Sequence, residues 1–290
     1  MARNPHDASY SAYIKTQKII RTVVCVFLCF MAVIPFYIMI INSTHASADV
    51  MKGIQILPGK YFGTNWASLM KRSRGMGTSL WGAMLHSLMI SVPSTALMVY
   101  FSTLTAYGLT VYNFRLKLPA NTFIMAILMI PQQVTIIGFV RAMIAMHLYD
   151  TYWPLIIPAI AAPSTYYFMK QYMEGGLSVE IIEAARIDGS GEFSTFNKIA
   201  LPLMKPAMAT QAIFAFVASW NNLYTPSMIL VNQKKTTLPM FVQSMRSEQF
   251  RNDYGMIYLG LTVSVLPIFV VYFALSKYII AGVALGGVKE

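Results

Sequence analysis

Six apolar runs, each long enough to cross a lipid bilayer, set the strongest limit on what this chain can fold into. They cover Ile19–Asn42, Trp81–Thr110, Asn121–Met146, Thr151–Met173, Pro206–Val231 and Met256–Ala281. An α-helix rises about 1.5 Å per residue, so about 20 apolar residues span the roughly 30 Å of hydrocarbon. In that medium every backbone N–H and C=O must be satisfied within the protein, which leaves helices and closed barrels. Continuous apolar runs of this length predict an all-α, polytopic membrane protein with about six transmembrane helices. The 290 residues are 56% hydrophobic and 11% charged, whereas soluble domains carry about 25% charged residues. Pro131 is expected to break the third run, and Pro154, Pro158 and Pro163 the fourth.

The first run could instead be a secretory leader, since Lys15, Lys18 and Arg21 precede it and Ala46-Ser47-Ala48 resembles a cleavage site. Its apolar stretch from Thr22 to Ile41 exceeds the usual 7–15-residue core of such leaders, and a polar segment precedes it. The expectation is an uncleaved first helix. Loop charge then orients the chain. With the N-terminus inside, Arg3, Lys15, Lys18, Arg21, Arg115, Lys117, Lys170, Arg186, Lys198, Lys205, Lys277 and Lys289 fall on the cytoplasmic side. The outer side holds Lys52, Lys60, Lys71, Arg72, Arg74, Lys234, Lys235, Arg246 and Arg251, many of them in the long 43–80 segment, where charge orients less strongly. Arg141 falls within the third run and is expected to snorkel outward. This arrangement predicts cytoplasmic tails at 1–18 and 282–290 around a six-helix membrane domain at 19–281. The 43–80 segment is too short to predict a separate soluble domain, although Tyr61, Trp66 and Leu69 could pack on the membrane surface.

The net charge of +11 does not indicate a nucleic-acid partner. The basic residues are dispersed beside apolar runs with no interleaved aromatic surface, which fits anchoring to the lipid bilayer. Cys25 and Cys29, both in the first run, are read as small buried hydrophobes. His6, His45, His86 and His147 show no ligand spacing, so no metal site is expected.

One stretch departs from this apolar pattern. Glu174, Glu180, Glu183, Asp188 and Glu192 gather nearly half of the 11 acidic residues into the connector between the fourth and fifth runs. Ser178 to Ile187 reads as a short helix, with Ser178 at its N-cap and Glu180 and Glu183 near the positive end of the dipole. Asp188-Gly189 ends it, with Gly189 able to take the left-handed conformation. Val179, Ile182 and Arg186 share one face, and Ile181, Ala184, Ala185 and Asp188 line much of the other. The Ala184-Ala185 pair is expected to let a partner approach the backbone. Pro202 and Pro206 punctuate entry into the fifth run.

The stretch Glu183-Ala184-Ala185-x-x-Asp188-Gly189, followed by Phe196, Ile199, Leu201-Pro202-Leu203 and Pro206, resembles the EAA loop of ATP-binding-cassette importer permeases. Further matching segments are Ala106-Tyr107-Gly108, Pro131, Ser219-Trp220-Asn221, Thr237-Leu238 and the tail Gly287-Val288-Lys289. Together they are similar to the carbohydrate-uptake type, the second permease of maltose-like importers. Ser178 stands where that family often has Pro, Ser190 where Ala is usual, and Glu290 in place of a terminal Gly.

The resemblance implies a cytoplasmic coupling loop at about 174–205 whose helix seats in an ATPase subunit. Glu183, Ala184, Ala185, Asp188 and Gly189 would couple, with Ser178, Phe196, Pro202 and Pro206 shaping the loop. The implied partners are a second permease, as a heterodimer forming the pore, two ATP-binding subunits, and an extracytoplasmic solute-binding protein, at a bacterial or archaeal cell membrane. The chain lacks a G-x-x-x-x-G-K-[ST] phosphate loop, so it is expected to bind no cofactor and not to be an enzyme, the ATP being used by the partner. Trp220, Asn221, Asn222, Gln132 and Gln133 are candidates for a sugar path, because rings stack on sugar C–H faces and amides pair with hydroxyls; helix packing is the competing role. The alternatives are a permease for polyamines or another non-sugar solute, and an ion-coupled transporter. The second would call for a mid-span acidic residue, and none is present.

Overall fold

Pro, Gly and short polar turns cut the apolar runs into helices of very different length. The computed structural model describes residues 5–75, 77–246 and 253–286, with side chains described except at 5–12, 75, 132 and 279–286. The helices are α1 (Pro5–Asn42), α2 (Ser47–Met51), α3 (Phe62–Gly75), α4 (Leu80–Val111), α5 (Lys117–Leu128), α6 (Gln132–Ala145), α7 (Trp153–Ile156) and α8 (Pro163–Gly176). They continue as α9 (Val179–Ile187), α10 (Glu192–Thr195), α11 (Leu201–Leu203), α12 (Lys205–Trp220), α13 (Tyr224–Ile229), α14 (Leu238–Met245) and α15 (Tyr254–Gly286). The described residues contain no strand.

Three helical stretches, Tyr13–Asn42, Leu80–Val111 and Tyr254–Tyr278, are long and apolar enough to cross a membrane alone. The count reaches up to five if two bent pairs, α5 with α6 and 192–203 with α12, each make one span. Among the described residues, length and composition alone do not confirm the expected six. The fourth run is divided into α7, a 3₁₀ turn at Ile157–Ile160 and the 14-residue α8. Pro154, Pro158 and Pro163 each start one of these pieces, where the missing N–H costs nothing because no helical acceptor precedes it. The third run breaks at Pro131, which stands at the N-cap of α6.

The chain divides into two compact units, Met1–Leu69 with Glu248–Val263, and Met70–Ser247 with Ser264–Glu290. In the first, the buried Asn65 carboxamide donates to Ser43 O at 2.8 Å and His45 O at 2.9 Å. These bonds tie the end of α1 to α3. Gly255 packs so tightly there that a Cβ would lie 2.3 Å from His45 O. Leu69 is fully buried rather than spread on a surface. Cys25 and Cys29 are exposed on α1, contrary to expectation. With both faces of that turn apolar, spacing alone could not tell a packed side from an open one.

The second unit is organised around α4, against which α7, α8, α12 and α14 pack. Ala83, Ser87, Ser91, Ser94, Ser102 and Ala106 are buried along it, and small side chains let helices approach closely. Their hydroxyls also join elements: Ser94 Oγ donates to Leu155 O at 3.0 Å, and Ser87 Oγ accepts from Leu238 N at 2.8 Å. Toward the C-terminal half of α4, Tyr107 and Leu109 meet Tyr166, Met169 and Met173 of α8 in the core that carries the acidic connector.

Candidate functional site

The connector after α8 is a seated helix, not a loose strap. Ile182 and Ala185 are buried, and Ile182 joins the core formed by Tyr107, Met169 and Met173. Full burial of such an aliphatic side chain stabilises by about 1.5–3 kcal/mol. Glu180, Ile181, Glu183, Ala184, Ile187 and Asp188 remain exposed. The inner face of α9 therefore runs through Ile182 and Ala185, and the alanine pair is divided between the two sides. Ala184 alone offers a small outward residue. Adjacent helix positions differ by about 100°, so two neighbouring alanines seldom face the same way.

The two ends of α9 differ from each other. Ser178 occupies the N-cap position with extended backbone, yet its side chain caps no backbone N–H. Its hydroxyl donates to the Glu180 carboxylate, which holds that carboxyl below its usual range. The expected side-chain cap is thus replaced by a contact two residues on. The other end matches expectation. Gly189 has φ +79°, Gly189 N–H donates to Arg186 O at 3.0 Å, and Ser190 N–H donates to Ala185 O at 2.9 Å. These are the paired bonds of a left-handed C-terminal stop.

An ionic and aromatic lock then holds the connector against the end of α4. Arg186 Nε lies 2.7 Å from Glu192 Oε1, and Arg186 Nη2 lies 3.3 Å from Glu192 Oε2. The Tyr112 hydroxyl donates to the same Glu192 carboxylate. The Arg186 guanidinium also sits 5.2 Å over the Tyr112 ring, a cation–π geometry. Arg186, followed by Tyr112, holds the Glu192 carboxyl below its usual range. Burial, then the bond to Glu192, pushes the Tyr112 phenol up to about 12. Phe196 is buried between Tyr107 at 5.2 Å and Tyr100 at 5.8 Å, and Tyr100 OH donates to Asn197 Oδ1 at 3.2 Å.

From Phe196 to Ala200 the helix widens into a π turn. Pro202 has no N–H for Lys198 O, and its ring crowds that carbonyl, which favours a looser turn. Pro206 stands in the first turn of α12, and 192–203 meets α12 at 79°. Phe196, Pro202 and Pro206 thus stand where the connector packs, widens and bends.

Three features of this site were missed in the sequence reading. Glu192 was counted among the acidic residues, but its bridge to Arg186 and Tyr112 depends on a contact across 80 positions. Ile187 and Phe193, 87% and 69% exposed, place large apolar side chains outside an acidic surface. Ile187 follows Ile182 by five residues, about 140° around the helix, and that spacing was the available signal.

The residues considered for a sugar path differ in exposure and in their bonds. Trp220 ends α12, is 1% exposed, stacks on Phe216 at 5.6 Å and donates through Nε1 to Ser264 O at 2.9 Å. Asn222 Oδ1 accepts from Thr225 N at 3.2 Å, while Asn221 and Gln133 are exposed. The side chain of Gln132 lies outside the described residues, as does the tail Gly287-Val288-Lys289. The Trp-Asn-Asn group therefore marks the end of a helix, not the middle of one as its apolar surroundings suggested.

Residues 98–284 match the family model described as the binding-protein-dependent transport system inner membrane component. The arabinooligosaccharides transport system permease protein AraQ of Bacillus subtilis is 29% identical over 98% of this chain and 99% of its own length. The protein of the same name from Halalkalibacterium halodurans is 33% identical over 91% and 93% respectively. A crystal structure of a bacterial ABC transporter involved in the import of the acidic polysaccharide alginate contains a chain of similar fold. Its TM-score is 0.74 at 19% identity, covering 96% of this chain and 99% of that one. With more than half of its length inside that model, this chain belongs to the inner-membrane permease components of binding-protein-dependent transport systems.

Proposed function

We propose that this permease subunit forms half of the pore of an ATP-driven importer for a sugar or oligosaccharide, and that α9 couples it to a separate ATPase. The observation that carries the coupling role is the division of α9. Ile182 and Ala185 seat it on the permease core, while Ile181, Ala184, Ile187, Glu183 and Asp188 face outward. Exposed apolar side chains beside acidic ones suit a groove with an apolar floor and a basic rim. A second permease completes the pore as a heterodimer, two ATP-binding subunits dock one on each coupling helix, and a solute-binding protein delivers the cargo from outside. The chain ends and the 174–205 connector lie on the cytoplasmic side of a bacterial or archaeal inner membrane.

ATP acts through its partner by favouring one of two conformations, as any ligand that drives a switch must. The chain itself holds no cofactor and catalyses no reaction. Relatives named for arabinooligosaccharides and for melibiose, raffinose and stachyose favour a carbohydrate cargo over a polyamine. Asn221 and Gln133 stay open to a passing solute, and Trp220 acts as a brace.

Gly189→Val tests the coupling. No atom lies within 4 Å of a Cβ at that position, so sterics do not oppose the substitution. The left-handed backbone does, by about 1–2 kcal/mol. Uptake should fall while membrane insertion persists, and wild-type uptake would count against docking through this helix. Binding of an oligosaccharide panel to the cognate solute-binding protein tests the cargo; polyamine binding with no sugar binding would overturn that part.

A further inference from the structure

After α1 ends at Asn42, the chain closes a loop that folds back along the helix it has just left. Thr44 fastens the base of the loop, its carbonyl accepting from Tyr61 N at 2.8 Å and its hydroxyl from Gly59 N at 2.7 Å. Gly59 approaches so closely that a Cβ there would lie 2.5 Å from Thr44 O. His45 Nε2 stands 2.8 Å from Leu57 O, and Gln55 Nε2 donates to Asp49 O at 2.9 Å. The Tyr37 hydroxyl donates to Ile56 O at 2.5 Å. Tyr37 precedes the end of α1 by about 7.5 Å along the axis. The Ile56 carbonyl is therefore held against the apolar wall of α1, not beyond its tip.

These bonds occupy polar backbone groups while Ile54, Ile56 and Leu57 project outward, 75%, 68% and 75% exposed. They continue an apolar surface that α1 already presents through Val33, Tyr37 and Ile40. Lys52, paired with Asp49 at 3.1 Å, and Lys60 flank the loop. Their long stems can lie on apolar surface with the ammonium groups at phosphate level. Aromatic hydroxyls and lysines beside an apolar edge are the usual composition of a bilayer interface.

We propose that the loop from Gly53 to Gly59 is an interfacial anchor. Ile54, Ile56 and Leu57 insert at the headgroup–acyl boundary of the leaflet at the C-terminal end of α1, with lipid as their occupant. Lipid is favoured over a protein partner because the loop is bonded to the side of a membrane helix and extends the same outward surface.

The test uses the complete transporter in phospholipid vesicles, carrying Cys25→Ser and Cys29→Ser. Nitroxide labels are placed at Ile56→Cys, at Leu57→Cys, at Phe30→Cys as a lipid reference and at Lys60→Cys as an aqueous reference. The labels at 56 and 57 should collide more with oxygen than with a water-soluble nickel chelate, shifting the ratio from that of position 60 toward that of position 30. A ratio equal to that of position 60 would overturn the proposal. Exclusion of both colliders would overturn it too, because another protein would then cover the loop. Retained uptake in each variant reports folding, and either label position suffices if the other variant fails to assemble.

Discussion

Glu192 is bonded by two separate elements, Arg186 at the end of α9 and Tyr112 just beyond α4. Its carboxyl is held below the usual range, so its contribution is complete above the ordinary glutamate pKa and is lost as pH falls through the depressed value. Tyr112 runs the opposite way. Its raised value keeps the phenol a donor at neutral pH, and its share is lost only as pH rises through about 12. The wild type should loosen on the acid side, and Glu192→Gln should speed amide exchange in 178–203 at pH 7 and abolish that acid-side loosening. Exchange measured by mass spectrometry, corrected for intrinsic rates, checks this; identical profiles for the two proteins would remove the lock from the account. The sequence shows that these residues carry opposite charges six positions apart, but not that a tyrosine 80 positions away completes the set. Gly189 was legible for the opposite reason. A C-terminal stop is a local backbone property, and Asp-Gly after a short apolar-acidic helix specifies one.

At the scale of elements, local chemistry set where helices break, and burial set what their faces do. Pro131, Pro154, Pro158 and Pro163 stand at real interruptions, whereas Pro35, Pro93 and Pro267 lie inside α1, α4 and α15, so a missing N–H favours a break without dictating one. The fifth run was misjudged at its end, where α12 stops at Trp220 and a separate short helix follows. Asn221 and Asn222 mark the break, but apolar residues resume beyond them, so hydropathy averaged over a membrane-length window passes over it. Trp220 belongs to this helix end as a brace between α12 and Ser264. Trp220→Phe replaces the buried indole with a smaller phenyl ring and removes its Nε1–H donor, so the lost hydrogen bond and the cavity left behind should lower stability by about 1–3 kcal/mol. Thermal unfolding of the assembled transporter measures that loss, with the KM for uptake expected to stay unchanged. A raised KM without loss of stability would return Trp220 to the sugar path.

At the scale of the molecule, membrane character followed directly from composition and run length, whereas the number of spans did not. Among the described residues three stretches are long and apolar enough to cross unaided, and any further span would have to be bent or interrupted, because interrupted helices depend on neighbours to satisfy the freed backbone groups. The connector's inner and outer faces share that dependence, since α4 and α8 must be in place before Ile182 can be buried. The central claim is that the outward face of α9 meets an ATPase subunit. Reactivity of a single cysteine at Ile187→Cys, with Cys25→Ser and Cys29→Ser, tests it most directly. A water-soluble maleimide should label that cysteine rapidly in the permease pair alone and slowly once the ATPase subunits are bound. Equal labelling in the two states would contradict the claim.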